Sequence, residues 1–328
     1  MLRFLIGLCL LPCSFLGAAS FEDNMGKGSS SWQYLRTPED RQKLRFFQTL
    51  YDKSGEVTTL DEAVIPKVFH FIWLGPDPFP SRSISLLTKW KAFHPDWIFY
   101  FWTDIPRDVP LKGMVKREVS EFAFQKLGKC FDQAENFKEK AFLLSLEILF
   151  SEGGIYLDHD VEPKKNLSPS ASFFAGLAPL QPSIFSSSVM IVPYCFGASK
   201  GHPFLGEAME HLAQYWNRYS SFFPGSEPQE KIYRTEMRLY EAFEIGAEKG
   251  LGLSGNRDRA LPADEMASLV THHRQGKWKK LETIEETKLR KKLDRLSKQV
   301  DRTVLFICLL GGGVLLTSGF CFWPRRKK

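Results

Sequence analysis

The run Leu146-Glu-Ile-Leu-Phe-Ser-Glu-Gly-Gly-Ile-Tyr-Leu-Asp-His-Asp-Val-Glu162 decides the fold. Phe137, Ala141, Leu144 and Ile148 recur at spacings of 4, 3 and 4, which predicts a helix from about Glu135 to Ser151 with an apolar face. Gly153-Gly154 permits a left-handed exit from that helix, and Ile155-Tyr-Leu157 reads as a short buried strand. Asp158-His-Asp160 therefore falls at the C-terminal end of a central strand, the edge at which open α/β sheets bind ligands. Carboxylates at i and i+2 of an extended chain point to opposite faces, so they share a site only if the chain turns, as Val161-Glu-Pro163 suggests it does. Oxygen donors of this kind suit Mg²⁺ or Mn²⁺, whose coordination is commonly completed by substrate phosphate.

Working outward, Lys67-Val-Phe-His-Phe-Ile-Trp73 is a β-branched and aromatic run closed by Leu-Gly-Pro-Asp-Pro, a strand and its turn. Ser83 to His94 has near-helical apolar spacing, and Asp96 to Asp104 reads as a second strand. Strand, helix, strand in that order predicts an α/β fold with a parallel sheet flanked by helices. His70, inside the first strand, reads as a core histidine. Residues 21–64 form a polar lead-in, with Thr37-Pro-Glu-Asp40 starting a helix that leads to Leu44, Phe47 and Leu50. The main domain is expected over 65–280.

The composition is globular, 43% hydrophobic and 25% charged, which excludes disorder as the whole answer. The net charge of +6 is unevenly placed: from Lys277 onward there are 14 Lys/Arg against 5 Asp/Glu, leaving 30 basic and 33 acidic residues before it. A folded domain without a surplus of positive charge is a poor nucleic-acid binder, so no nucleic-acid partner is expected. Both ends carry membrane signals. Residues 1–20 have the basic, apolar and small-residue order of a signal peptide, and 304–323 form an uncharged stretch long enough to cross a bilayer as one C-terminal transmembrane helix. Residues 281–303 read as a basic helical stalk with Leu289, Leu293, Leu296 and Val300 on one face, and 324–328 as a basic tail. The expected topology is a single-pass membrane protein with its main domain on the non-cytoplasmic side, although the stalk's basic residues pull against it by the positive-inside rule. Cys130 and Cys195 allow at most one disulfide outside the two ends, and Asn166-Leu-Ser168 is a glycosylation acceptor if the domain enters a secretory lumen.

The decisive run resembles the sugar-binding region with a DXD motif of glycosyltransferase family 32, whose relatives include initiating and sphingolipid mannosyltransferases and toxin glucosyltransferases. Ile65-Pro-Lys-Val-Phe-His-Phe-Ile-Trp-Leu-Gly75, Gly197-Ala-Ser-Lys-Gly-His-Pro-Phe204 and Thr271-His-His-Arg-Gln-Gly-Lys-Trp278 match further family segments in order. The resemblance implies a GT-A-like, Rossmann-type mixed sheet and a retaining, metal-dependent transfer of a hexose from a nucleotide-diphosphate sugar to a glycan, lipid or protein acceptor. It gives Asp158 and Asp160 the catalytic roles and Ile72, Trp73, Tyr156, Asp158 and Trp278 the donor, with Trp73 stacking on the base. It gives Asp160, with His272 or His273, the Mn²⁺ or Mg²⁺ ion.

One departure bears on activity. Where many relatives carry an Asp and an Arg on the helix before Gly153, this chain has Phe142 and Ser145. Neither reproduces a charge-assisted bond to a sugar hydroxyl. The competing class is therefore a noncatalytic sugar- or nucleotide-binding module on the same fold. A phosphodiesterase would need a denser cluster of metal ligands than this sequence offers.

Overall fold

The computed structural model describes residues 19–54, 64–167, 170–182, 187–253 and 257–273. In chain order these form helices α1 (Phe21–Asn24) and α2 (Pro38–Ser54), strand β1 (Val68–Ile72), helix α3 (Ser81–Phe93), and strands β2 (Ile98–Thr103) and β3 (Val115–Glu118). Helices α4 (Gly128–Gln133) and α5 (Phe137–Glu152) precede strands β4 (Gly154–Leu157), β5 (Val161–Pro163), β6 (Phe173–Leu177) and β7 (Ile191–Ala198). Helices α6 (Pro203–Tyr215), α7 (Arg218–Phe222) and α8 (Pro228–Gly250), strand β8 (Asp258–Leu261), helix α9 (Ala263–Leu269) and strand β9 (Val270–His272) complete them.

Seven strands make one mixed sheet in the order β3-β2-β1-β4-β7-β6-β8. β3, β2, β1 and β4 pair in parallel, β7 is antiparallel to both β4 and β6, and β8 runs parallel to β6. The expected α/β class and mixed sheet are thus present. A second, two-stranded sheet pairs β5 with β9 in antiparallel register, Val161 opposite His272. It brings residues more than a hundred positions apart to the end of β4.

The sheet separates two apolar layers. Phe69 and Phe71 of β1 face a cluster with Trp90 of α3, Trp97 and Phe99, whereas Ile72 faces the other layer, with Phe142, Leu144 and Ile148 of α5 and Phe243 of α8. This is the alternation that period-2 strands impose. Helix α5 is more buried than its expected single apolar face implies. Residues 142–149 are all buried, while Phe137, the first residue of the expected stripe, is 47% exposed. The one acid in that run, Glu147, is satisfied by the backbone amides of Gln125, Lys126 and Leu127.

The lead-in is part of this core rather than a separate approach to it. Phe21, Met25, Leu35, Leu44, Phe47 and Leu50 all lie in the larger layer, and buried Asp40 accepts from Ser187 Oγ (2.6 Å) and Ser188 N (2.9 Å). Helix α2 begins as read, at Pro38, with Thr37 Oγ1 accepting from Asp40 N. Cys130 and Cys195 are buried free thiols in different layers, so the single disulfide that the composition allowed is not formed. Among the described residues no helix is long and apolar enough to cross a membrane. The expected span 304–323, the stalk, the basic tail and nearly all of the signal segment lie outside them.

His70 is fully buried, as read from its place in β1. Its Nδ1 accepts from Trp102 Nε1 (3.2 Å), which leaves Nε2–H to donate to Gly153 O (2.9 Å), so the neutral tautomer is held from both sides. Burial pushes its pKa down to about 4, from 6.5 for the free group. A depressed histidine contributes stability that is complete above the unfolded pKa and is lost as pH falls towards the folded one. Between pH 6.5 and 4 the wild type should lose on the order of 3 kcal/mol through this group. Urea unfolding of His70→Asn across that range should show a flatter pH dependence by about that amount, whereas equal slopes would mean that His70 does not titrate with unfolding.

Candidate metal and nucleotide site

The site begins with the reversal between α5 and β4. Asn136 caps α5 through its side chain to Glu139 N, and the helix ends at Gly153 (φ 74°) followed by Gly154 (φ 111°), both in the region that favours glycine. β4 then runs beside β1, with Tyr156 opposite His70, and delivers Asp158 to the C-terminal edge. There Asp158 N donates to Tyr194 O (2.9 Å) and Val161 N donates to Asp158 O (3.2 Å), which closes a turn through His159 and Asp160. This turn removes the opposition of faces that an extended Asp-x-Asp would have.

Both carboxylates meet His272. Its Nε2 lies 3.0 Å from Asp160 Oδ1 and 3.6 Å from Asp158 Oδ2, and ligand atoms from the three residues all lie within 4.8 Å of one another. Asp160 is almost entirely buried, Tyr156 Oη donates to Asp158 Oδ1 (2.5 Å), and the Tyr194 ring stacks on His272 at 4.5 Å. Burial, then the charge of Asp158, holds the Tyr156 phenol well above its ordinary pKa, so it remains a donor to that carboxylate. The 3.0 Å between Asp160 Oδ1 and His272 Nε2 is the spacing of adjacent ligands around a six-coordinate ion with bonds of about 2.1 Å, and the Asp158 carboxylate lies within 4.8 Å of both. The residues present therefore fit a divalent cation.

Trp73 stands just beyond β1, with its ring half-buried. Its Nε1–H donates to Asp77 O (2.8 Å), and its backbone N donates to Trp102 O (2.9 Å). The loop beneath it is anchored: Arg107 donates to Gly75 O and Asp77 O, and Gly75 N donates to the Asp104 carboxylate. Ile72 is buried and paired with Trp102 in the sheet, so its side chain is closed to a ligand.

His273 is set apart from the cluster. Successive residues of an extended segment face opposite sides, and its Nε2 lies 2.6 Å from Glu162 Oε2, a carboxylate also paired with Lys89. Of the two histidines left open by the sequence, His272 is the one that lies beside both carboxylates. Trp278 lies outside the described residues. Phe142 packs against Phe243 with ring centres 5.4 Å apart, and fully buried Ser145 donates to Phe142 O (2.7 Å), so both belong to the core. The polar contacts at that level come instead from α8. Arg234 pairs with Glu135, Thr235 with Asn136, Glu236 with Lys138 and Arg238 with Glu139 at the start of α5. Tyr194 was not anticipated from the sequence. It arrives through antiparallel β7, and no local motif announces such a long-range neighbour.

Comparison with known proteins bears out the glycosyltransferase resemblance. Residues 80–176 match the family described as "Glycosyltransferase sugar-binding region containing DXD motif". The chain is 28% identical over 164 residues to "Inositol phosphoceramide mannosyltransferase 3" of Schizosaccharomyces pombe, covering 50% of this chain and 42% of that one. It is 28% identical over 159 residues to "Mannosyl phosphorylinositol ceramide synthase SUR1" of Saccharomyces cerevisiae, covering 47% and 37%. The chain thus spans about half the length, or less, of these relatives. Among solved structures, the "PaToxG Glycosyltransferase" aligns at 14% identity with a TM-score of 0.39, over 68% of this chain and 92% of that one.

The two histidines make the metal assignment testable. Calorimetric titration with Mn²⁺ should show His272→Ala weakened about 10- to 100-fold, the usual loss for a disturbed metal shell, and His273→Ala within about twofold of wild type. The reverse order would move the site to the Glu162 side.

Proposed function

We propose that the chain is a membrane-anchored, metal-dependent glycosyltransferase that moves a hexose, with retention of configuration, from a nucleotide-diphosphate sugar to an acceptor. The observation that carries this reading is the convergence of Asp158, Asp160 and His272 beside Trp73, at the ligand-binding edge of the parallel strands. Asp158 and Asp160 lie in the stretch matched by the DXD family, and the edge is the one at which such sheets bind nucleotides.

Each group has a definite task. A divalent ion at Asp158, Asp160 and His272 would neutralise the diphosphate as it leaves. Asp158 is oriented by the Tyr156 hydroxyl at its carboxylate and by the hydrogen bond that its backbone N–H donates to Tyr194 O. Tyr194 backs His272, and the β5–β9 pairing fixes that imidazole against Asp160. The half-buried indole of Trp73, on its anchored loop, offers a face for the base. Base stacking on such a ring contributes about 1–3 kcal/mol. Trp278 would add an N–H for a phosphate oxygen.

One relative is named an inositol phosphoceramide mannosyltransferase and another a mannosyl phosphorylinositol ceramide synthase, which supports a sphingolipid as the first acceptor class to test and mannose as the first donor sugar. Residues 1–20 and 304–323 support single-pass anchoring with the domain on the non-cytoplasmic side. Phe142 and Ser145, standing where many relatives carry an Asp and an Arg, favour a second reading, a binding module without turnover.

Hydrolysis of a panel of GDP- and UDP-hexoses with Mn²⁺ separates the two readings. The enzyme reading predicts release of free hexose from one donor, reduced at least about 100-fold by Asp160→Asn or by chelation, with the circular-dichroism spectrum unchanged. Nucleotide binding without hexose release from any donor, with or without a sphingolipid acceptor, would favour the module.

A further inference from the structure

The residue between the two aspartates is unexplained by metal binding. While Asp158 and Asp160 turn to His272, the ring of His159 lies against Trp73, with centres 4.9 Å apart and planes at 81°, and against Phe79 at 5.9 Å and 71°. Phe79 in turn meets Trp73 at 5.4 Å and 76°. Three rings thus meet edge to face, an arrangement that aromatic quadrupoles favour. The His159 ring is also fixed in rotation, because its Nδ1 is 2.8 Å from the hydroxyl of Ser83, a fully buried residue in the first turn of α3.

We infer that His159 is a positioning residue that couples the carboxylate turn to the Trp73 base platform, with Ser83 as its anchor. The inference rests on the proposed nucleotide-binding role of the site and adds to it. An indole that stacks on a base must present one face at a fixed distance from the diphosphate. Trp73 is held at its nitrogen by Asp77 O and along its ring by Phe79, and both belong to the same β1–α3 connection as Trp73 itself. His159 alone of these contacts comes from the turn that carries the carboxylates. It therefore sets the spacing between the two halves of the ligand, and the rigidity spares the ordering cost that binding would otherwise meet.

The test separates base from diphosphate. The full-length chain is titrated calorimetrically, in Mn²⁺, with GDP, with UDP and with inorganic pyrophosphate. For the tighter nucleotide, His159→Ala should weaken binding about tenfold, and pyrophosphate should bind within about twofold of wild type. In a Trp73→Ala background the same substitution should change nucleotide affinity by less than about twofold, because the group it positions is gone. His159→Asn, which can keep the bond to Ser83, should recover part of the loss, and Ser83→Ala should reproduce it at about threefold. These two variants carry the test if His159→Ala does not fold. Equal losses for nucleotide and pyrophosphate, or additive losses in the Trp73→Ala background, would overturn the inference and leave the proposed function standing. A wild-type chain that binds pyrophosphate but neither nucleotide, or none of the three, would overturn both.

Discussion

The structure depends on a close approach of backbone at Gly153 and Gly154. A Cβ at Gly154 would lie 2.7 Å from His70 Nε2 and 3.0 Å from Val68 O, and one at Gly153 would lie 2.9 Å from Pro66. Only a residue without a side chain, at positive φ, lets the chain leave α5 and enter the sheet directly beside β1. His70 secures that junction by taking Gly153 O, which would otherwise be a buried carbonyl without a strand partner. Four residues later the chain reaches the open edge of the sheet at Asp158. The placement of the carboxylates is thus decided by packing well below them.

The site is completed by parts of the chain remote in sequence. The β5–β9 pairing supplies His272, β7 supplies Tyr194, and α3 supplies Ser83 and, through Trp90 Nε1 to Val161 O (2.8 Å), a brace for β5. Buried charges elsewhere are paired, as Arg238 with Glu139 at 2.8 Å, or amide-satisfied, as Glu147 is, so they stiffen the layer around α5 without entering the site. The N-terminal helices contribute through the same layer, with Phe47 almost fully buried and Asp40 tied to residues 187 and 188.

Much of this was legible from local pattern. The β1–α3–β2 order, the glycine reversal, the core position of His70 and the edge position of Asp158-His-Asp160 follow from periodicity and from conformations open only to glycine. What was not legible depends on pairing at long range. Periodicity could not tell which of His272 and His273 lies beside the carboxylates, because that is set by the register of β9 on β5. Leu44, Phe47 and Leu50 were legible as the apolar positions of the lead-in helix, whereas the polar composition around Phe21, Met25 and Leu35 gave no sign that they join the same core. For Phe142 and Ser145, alignment to a polar pair placed them by the sugar, whereas their surroundings make them core: Phe142 faces Phe243, and the Ser145 hydroxyl is spent on its own helix. His159, an unconstrained position in an Asp-x-Asp pattern, gains meaning only from the rings around it.

The central claim is that Asp158, Asp160 and His272 form one divalent-cation site serving a nucleotide diphosphate. The most direct measurement is anomalous diffraction from a crystal of the chain grown with Mn²⁺ and a nucleoside diphosphate. The account predicts a single strong manganese peak within about 2.1–2.4 Å of a donor atom of each of the three residues, with diphosphate oxygens in the remaining positions. A peak at Glu162 and His273, or a diphosphate bound with no metal between these side chains, would contradict it.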